Sequence, residues 1–132
     1  MELLVGVVLA ASLGIFATIV GLDRDRAFYP TVVVVIASYY ALFAVMGGST
    51  RALIIETTVI IAFLGAAVAG LKISPWIVVG ALAAHGAFDL MHGRLIENPG
   101  VPAWWPQFCL AYDLTAAGYL AWLLGRRKPH RA

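Results

Sequence analysis

The stretch PWIVVGALAAHGAFDLMH, residues 75–92, reads as a helix for a lipid bilayer that carries three groups lipid disfavours, His85, Asp89 and His92. The run is apolar and continuous, with no alternation of the kind a barrel strand needs. A hydrocarbon core about 30 Å thick takes roughly 20 helical residues to cross. Four more stretches of that kind flank it: 3–22, 30–47 and 52–71 before it, and 105–125 after it. Together they fill most of the 132 residues, 62% of which are hydrophobic. The mean hydropathy is +0.91. The expected fold is all-α, one polytopic bundle of five transmembrane helices forming a single domain over residues 1–132.

Helix ends are punctuated by residues that suit them. Pro30, Pro75 and Pro106 each fall in a first turn, where a missing N–H costs little. Ser74, and either Ser49 or Thr50, are candidate N-caps. The connections are short, so successive helices are expected to run antiparallel. The longest runs from Gly93 to Trp104, with the turn signal Asn98-Pro99-Gly100. Small residues four apart (Gly6, Ala10 and Gly14; Ala62, Ala66 and Gly70; Gly80 and Ala84) let backbones approach closely, within the bundle or across a homodimer seam.

The first stretch lacks the basic leader of a signal peptide, Glu2 being its only early charge, so it reads as a retained helix. Cys109 is the single cysteine, which excludes an intramolecular disulfide. Net charge is +2, much of it from Arg126, Arg127, Lys128 and Arg131. Beside a membrane helix such a tail is a topology signal and a contact for anionic lipid, and no nucleic-acid partner is expected. With that tail cytoplasmic, seven Lys and Arg lie inside and only Arg51 and Arg94 outside. The N-terminus is then outside, and Trp104 and Trp105 mark the outer interface.

That topology puts Glu56, His85, Asp89, His92 and Asp113 in the outer half of the membrane. At 1.5 Å per residue, Glu56 lies about 7 Å deep, His85 about 10 Å and Asp113 about 12 Å. His85, Asp89 and His92 are spaced i, i+4, i+7 and share a helix face. A charge alone at mid-bilayer costs about 2.5–3.5 kcal/mol, and no Lys or Arg within the spans offsets these carboxylates. Protonated acids, charged imidazoles or a bound divalent metal each resolve the difficulty. Imidazole with carboxylate suits Zn, Fe or Mn, with His85, His92, Asp89, Glu56 and Asp113 as candidate ligands. His85 and His92 stand about 10 Å apart along the axis, so one His with Asp89 and Glu56 or Asp113 is the easier set.

Each residue also has a plainer reading. His92 suits a solvated helix end, Asp89 a helix-pinning bond to His85, and Glu56 a surface partner such as Arg51. Tyr39, Tyr40, Tyr112 and Tyr119 either extend a hydrogen-bond network or fill the core. Cys109, one turn before Asp113, either joins the site or packs. The run Asp23-Arg24-Asp25-Arg26 reads as a salt-bridged turn or a contact for lipid headgroups.

The strings DRDRAFYP (23–30), HGAFDLMH (85–92) and GVPAWWP (100–106) resemble a family of small bacterial integral membrane proteins whose activity is not established. That resemblance implies a bacterial inner-membrane protein and brings no chemistry. Five short helices are also similar to the translocator-protein and sterol-isomerase group, and His85-x-x-x-Asp89 is similar to the His-x-x-x-Glu pair of those isomerases. The implied chemistry is acid–base work on an apolar, lipid-like substrate. Three function classes follow: an enzyme using Glu56, His85, Asp89 and Asp113, with or without a metal; a proton-coupled transporter; and a non-catalytic binding or accessory protein.

Overall fold

A computed structural model describes residues 1–126, so Arg127, Lys128 and Arg131 of the basic tail lie outside the described residues. Five helices and one short turn make up the chain: α1 Glu2–Val20, a 3₁₀ turn Leu22–Arg24, α2 Phe28–Met46, α3 Thr50–Lys72, α4 Pro75–Leu95 and α5 Trp105–Arg126. Ser49 caps α3 by accepting from the Ala52 amide at 3.1 Å. Ser74 caps α4 by accepting from Trp76, with Pro75 at the first helical position. Helix α2 starts two residues before Pro30, because the Asp25 carboxylate accepts from the Ala27 amide and turns the chain early. Pro30 still falls among the first N–H groups, which have no intrahelical partner.

Helices α1, α2, α3 and α5 are long and apolar enough to cross a membrane. The five helices match the expected bundle, and α4 alone falls short of that apolar measure. Its 21 residues rise about 31 Å, enough to cross, but His85, Asp89, His92 and Arg94 hold down its apolar content. Packing explains how that content is tolerated: α4 lies against α2, α3 and α5, and His85, Asp89 and His92 are turned into that enclosure, while Arg94 is exposed near the helix end.

Helix α1 runs along α5 and touches no other helix. Gly6 lies against the Phe108 carbonyl, where a Cβ would collide, and a Cβ at Gly14 would meet the Tyr119 ring at 2.8 Å. The stripe Gly6, Ala10, Gly14 is thus the α1–α5 seam. Gly70 is similarly closed against Val78 between α3 and α4, whereas Gly80 meets no neighbour within 4 Å and its stripe does not pack inside the chain. Around the bundle the order is α1, α5, α4, α3, α2, and α1 and α2 do not meet. An apolar groove of about 1160 Å³ opens between them.

Candidate functional site

Each buried ionisable residue is placed by a different piece of this packing. Glu56 sits two turns into α3, His85, Asp89 and His92 line the inner face of α4, and Asp113 projects from α5. None is more than 2% exposed. The residues do converge, at the end of the bundle where α2 ends, α3 begins and the α4–α5 loop folds over. They form two groups joined by one tyrosine.

The first group joins α4 to α5. His85 Nδ1 lies 2.6 Å from Asp113 Oδ2 and 3.3 Å from Asp89 Oδ2. The second distance is an ion-pair contact without hydrogen-bond geometry, so Asp89 Oδ2 is a buried oxygen with no hydrogen-bond partner. Cys109 Sγ approaches Asp113 at 3.7 and 3.8 Å. One ligand atom from each of His85, Asp89, Cys109 and Asp113 lies within 4.8 Å of the others, all four residues being buried.

The second group joins α3, α4 and the α4–α5 loop. His92 Nε2 and Glu56 Oε2 lie 2.5 Å apart. Asn98 donates to the same carboxylate oxygen at 2.9 Å and to the Tyr40 carbonyl at 3.0 Å. Glu56 and His92 therefore form a pair of their own, outside the set of four that could share an ion. Tyr40 connects the groups. Its hydroxyl donates to Asp89 Oδ1 at 2.5 Å, and its ring stacks on His92 with centroids 4.0 Å apart.

The plainer readings fare unevenly. His92 is buried at 2% exposure, so it is no solvated end residue. Glu56 takes its bonds from His92 and Asn98. The hydrogen bond of His85 goes to Asp113 across helices, and Asp89 is held by Tyr40. Sequence reasoning named Asn98 only as a turn residue. Its amide is brought in by a tight approach of the loop to α2: a Cβ on Gly100 would collide with the Phe43 carbonyl, and one on Gly47 would reach the Gly100 Cα at 2.9 Å. At the other end of the bundle, Thr18 donates to Asp23 at 2.5 Å and lies 2.6 Å from the Tyr119 hydroxyl, tying the turn after α1 to α5.

Three carboxyls share this enclosure with two imidazoles. An imidazolium paired with a carboxylate is neutral, so counting His85 with Asp113 and His92 with Glu56 as two such pairs accounts for four of the five groups. Asp89 is left over. In a low-dielectric interior its charge needs a proton or a cation. No known family, curated protein or solved structure matches the chain. The chain is a helical membrane protein with a buried His, Asp and Cys group able to hold a metal ion.

Proposed function

We propose that this membrane protein binds one divalent transition metal through His85, Asp89 and Asp113, with Cys109 as the fourth donor, and uses it as an enzyme on a molecule dissolved in the bilayer. The carrying observation is the partnerless Oδ2 of buried Asp89, inside a set of four donors within 4.8 Å. A dication would balance the two carboxylates without a basic side chain, and ligation by Cys109, which loses its proton on binding, would add one negative charge to the site. Nitrogen, oxygen and sulfur donors in fourfold number suit Zn²⁺ best, with Fe²⁺ and Mn²⁺ less well served by the thiol. Such an ion would activate water or polarise a carbonyl. Cys109 lines both the cluster and the apolar groove, so the fourth position is where a substrate would displace a protein ligand. The positive-inside charge count supports an orientation with the site toward the outer leaflet.

The test is metal content. Protein purified in mild detergent without chelators should carry close to one metal per chain. His85→Ala and Asp113→Asn should lose it, and Glu56→Gln should retain it. Folded wild-type protein with no metal, and no uptake from micromolar Zn²⁺, Fe²⁺ or Mn²⁺, ends the reading.

One observation favours a second reading. Asn98, Glu56, His92, Tyr40, Asp89, His85 and Asp113 form a polar string from the loop inward, hydrogen-bonded except at the His92–Tyr40 stack and the 3.3 Å ion-pair contact of Asp89 with His85. Buried chains of acids and imidazoles carry protons in transporters. Proton flux into vesicles that is abolished by Asp113→Asn would put this reading first.

A further inference from the structure

The groove between α1 and α2 has a volume of about 1160 Å³. Val5, Leu9 and Leu13 of α1 form one wall, Val32 and Val35 of α2 the other, and Phe108 of α5 the floor. Its lining runs along α2 from Phe28 to Phe43, about 22 Å at 1.5 Å per residue, most of the hydrocarbon thickness. The protein's own connections line it at both ends, Leu22, Asp25 and Ala27 at one and Pro102 and Trp104 at the other. A spanning helix of a partner must leave the membrane at both faces and would meet these connections. A hydrocarbon chain lying within the bilayer need not leave it.

The polar lining narrows the occupant further. Among the described residues no Lys or Arg lines the groove, and its carboxylates are Glu2 and Asp25. The amino group of Met1 is taken by Glu2 at 3.5 Å. An anionic headgroup therefore finds no counter-charge. Trp105, also a lining residue and 8% exposed, has an indole N–H with no hydrogen-bond partner. Indole donates and cannot accept, so it requires an acceptor oxygen. Tyr39 packs edge-on against Trp105 at 5.2 Å, and Tyr112 and Cys109 follow on the same floor. A volume of 1160 Å³ sits just above the roughly 300–1,000 Å³ of pockets that enclose drug-sized ligands.

The geometry points to a binding site for one uncharged lipid, a single long hydrocarbon chain with a small head whose carbonyl or hydroxyl oxygen accepts from the Trp105 indole. The chain lies between Leu9 and Val35, and the head lies beside Cys109. This goes beyond the metal site and stands whether or not a metal binds.

The experiment uses full-length protein in detergent, with monooleoylglycerol as probe and dioleoylphosphatidylglycerol as charged comparison, bound lipid being counted by native mass spectrometry. Wild type should hold one monooleoylglycerol and bind the anionic lipid at least tenfold more weakly. Leu9→Trp and Val35→Trp fill the groove from opposite walls, and each should weaken retention at least tenfold. Ile61→Trp, on an exposed face of α3, should not. Helical circular dichroism confirms that each variant is folded. Undiminished binding in both groove variants, equal affinity for the anionic lipid, or a cross-link placing a second copy's helix against Val35 overturns the proposal. Loss of metal in His85→Ala with lipid retention intact separates this site from the metal reading.

Discussion

Replacing Tyr40 by phenylalanine removes one oxygen and leaves everything else the ring does. The stack on His92 at 4.0 Å and the edge contacts to Phe43 and Phe88 at 6.4 and 5.7 Å survive. What goes is the hydroxyl that donates to Asp89 Oδ1 at 2.5 Å. Since Asp89 Oδ2 has no hydrogen-bond partner, the variant strips the carboxyl of its hydrogen bonding altogether. A hydrogen bond to a charged group contributes about 1.5–3 kcal/mol in soluble proteins. Between membrane helices the mean is nearer 0.6 kcal/mol and the upper end about 1.7, because a chain unfolded in the membrane also finds partners. Asp89 is wholly buried, and this hydroxyl is its one hydrogen-bond donor among the described residues, which places this bond at the upper end. The expected loss is about 1.7 kcal/mol, roughly twentyfold in the folded-to-unfolded ratio. Equilibrium unfolding in mixed detergent micelles measures it. Tyr39→Phe is the control: its ring is 37% exposed and the change should stay within about 0.5 kcal/mol. If Tyr40→Phe also falls within that margin, the hydroxyl does not hold Asp89, and the link between the two halves of the cluster is lost with it.

Three further expectations follow from the same contacts. Gly100→Ala drives a Cβ into the Phe43 carbonyl, backbone that cannot swing aside, and should cost about 1–3 kcal/mol in the same titration; Gly118→Ala, with no atom within 4 Å, should be neutral or gain up to about 1 kcal/mol. Glu56→Ala leaves His92 and Asn98 facing a void and should destabilise by about 3–5 kcal/mol, an expectation abandoned if unfolding shifts by less than about 1 kcal/mol. Buried Cys109 should resist a maleimide in native micelles and react fully once the protein is unfolded; prompt native labelling would show that the thiol is open to solvent rather than enclosed beside Asp113.

The helices were legible because lipid imposes a length and a composition on whatever crosses it, and the serines and prolines at their starts act locally. Convergence of Glu56, His85, Asp89 and Asp113 was legible for a related reason: ionisable groups at matching depth on different spans have few places to go but toward each other. How they pair was not. Whether His85 takes Asp89, one turn away on its own helix, or Asp113 on the next depends on the rotation of α5, which the packing of whole helices sets and no local pattern records. Asn98 looked like a turn residue because its side chain serves the turn too, accepting from the Gly100 amide at 3.2 Å. The groove left no mark in the sequence at all. It arises because α1 follows α5 and leaves α2 behind, a choice made by Gly6 and Gly14 against partners a hundred residues downstream.

That long-range partnership has a bearing on how the protein is made. As the nascent chain leaves the ribosome, α1 enters the bilayer ahead of α2, α3 and α4, and α5, the helix it will pack against, follows all of them. In between it has only acyl chains for company. It is the most apolar of the spans, with a hydropathy of 2.6 against 1.3 for α5, as a segment that must wait alone has to be. Helix α4, with its acid and imidazoles, emerges only after α2 and α3 are in place to receive them. The order of the helices along the chain is thus also a workable schedule for insertion, in which each segment is no more polar than the company already present allows.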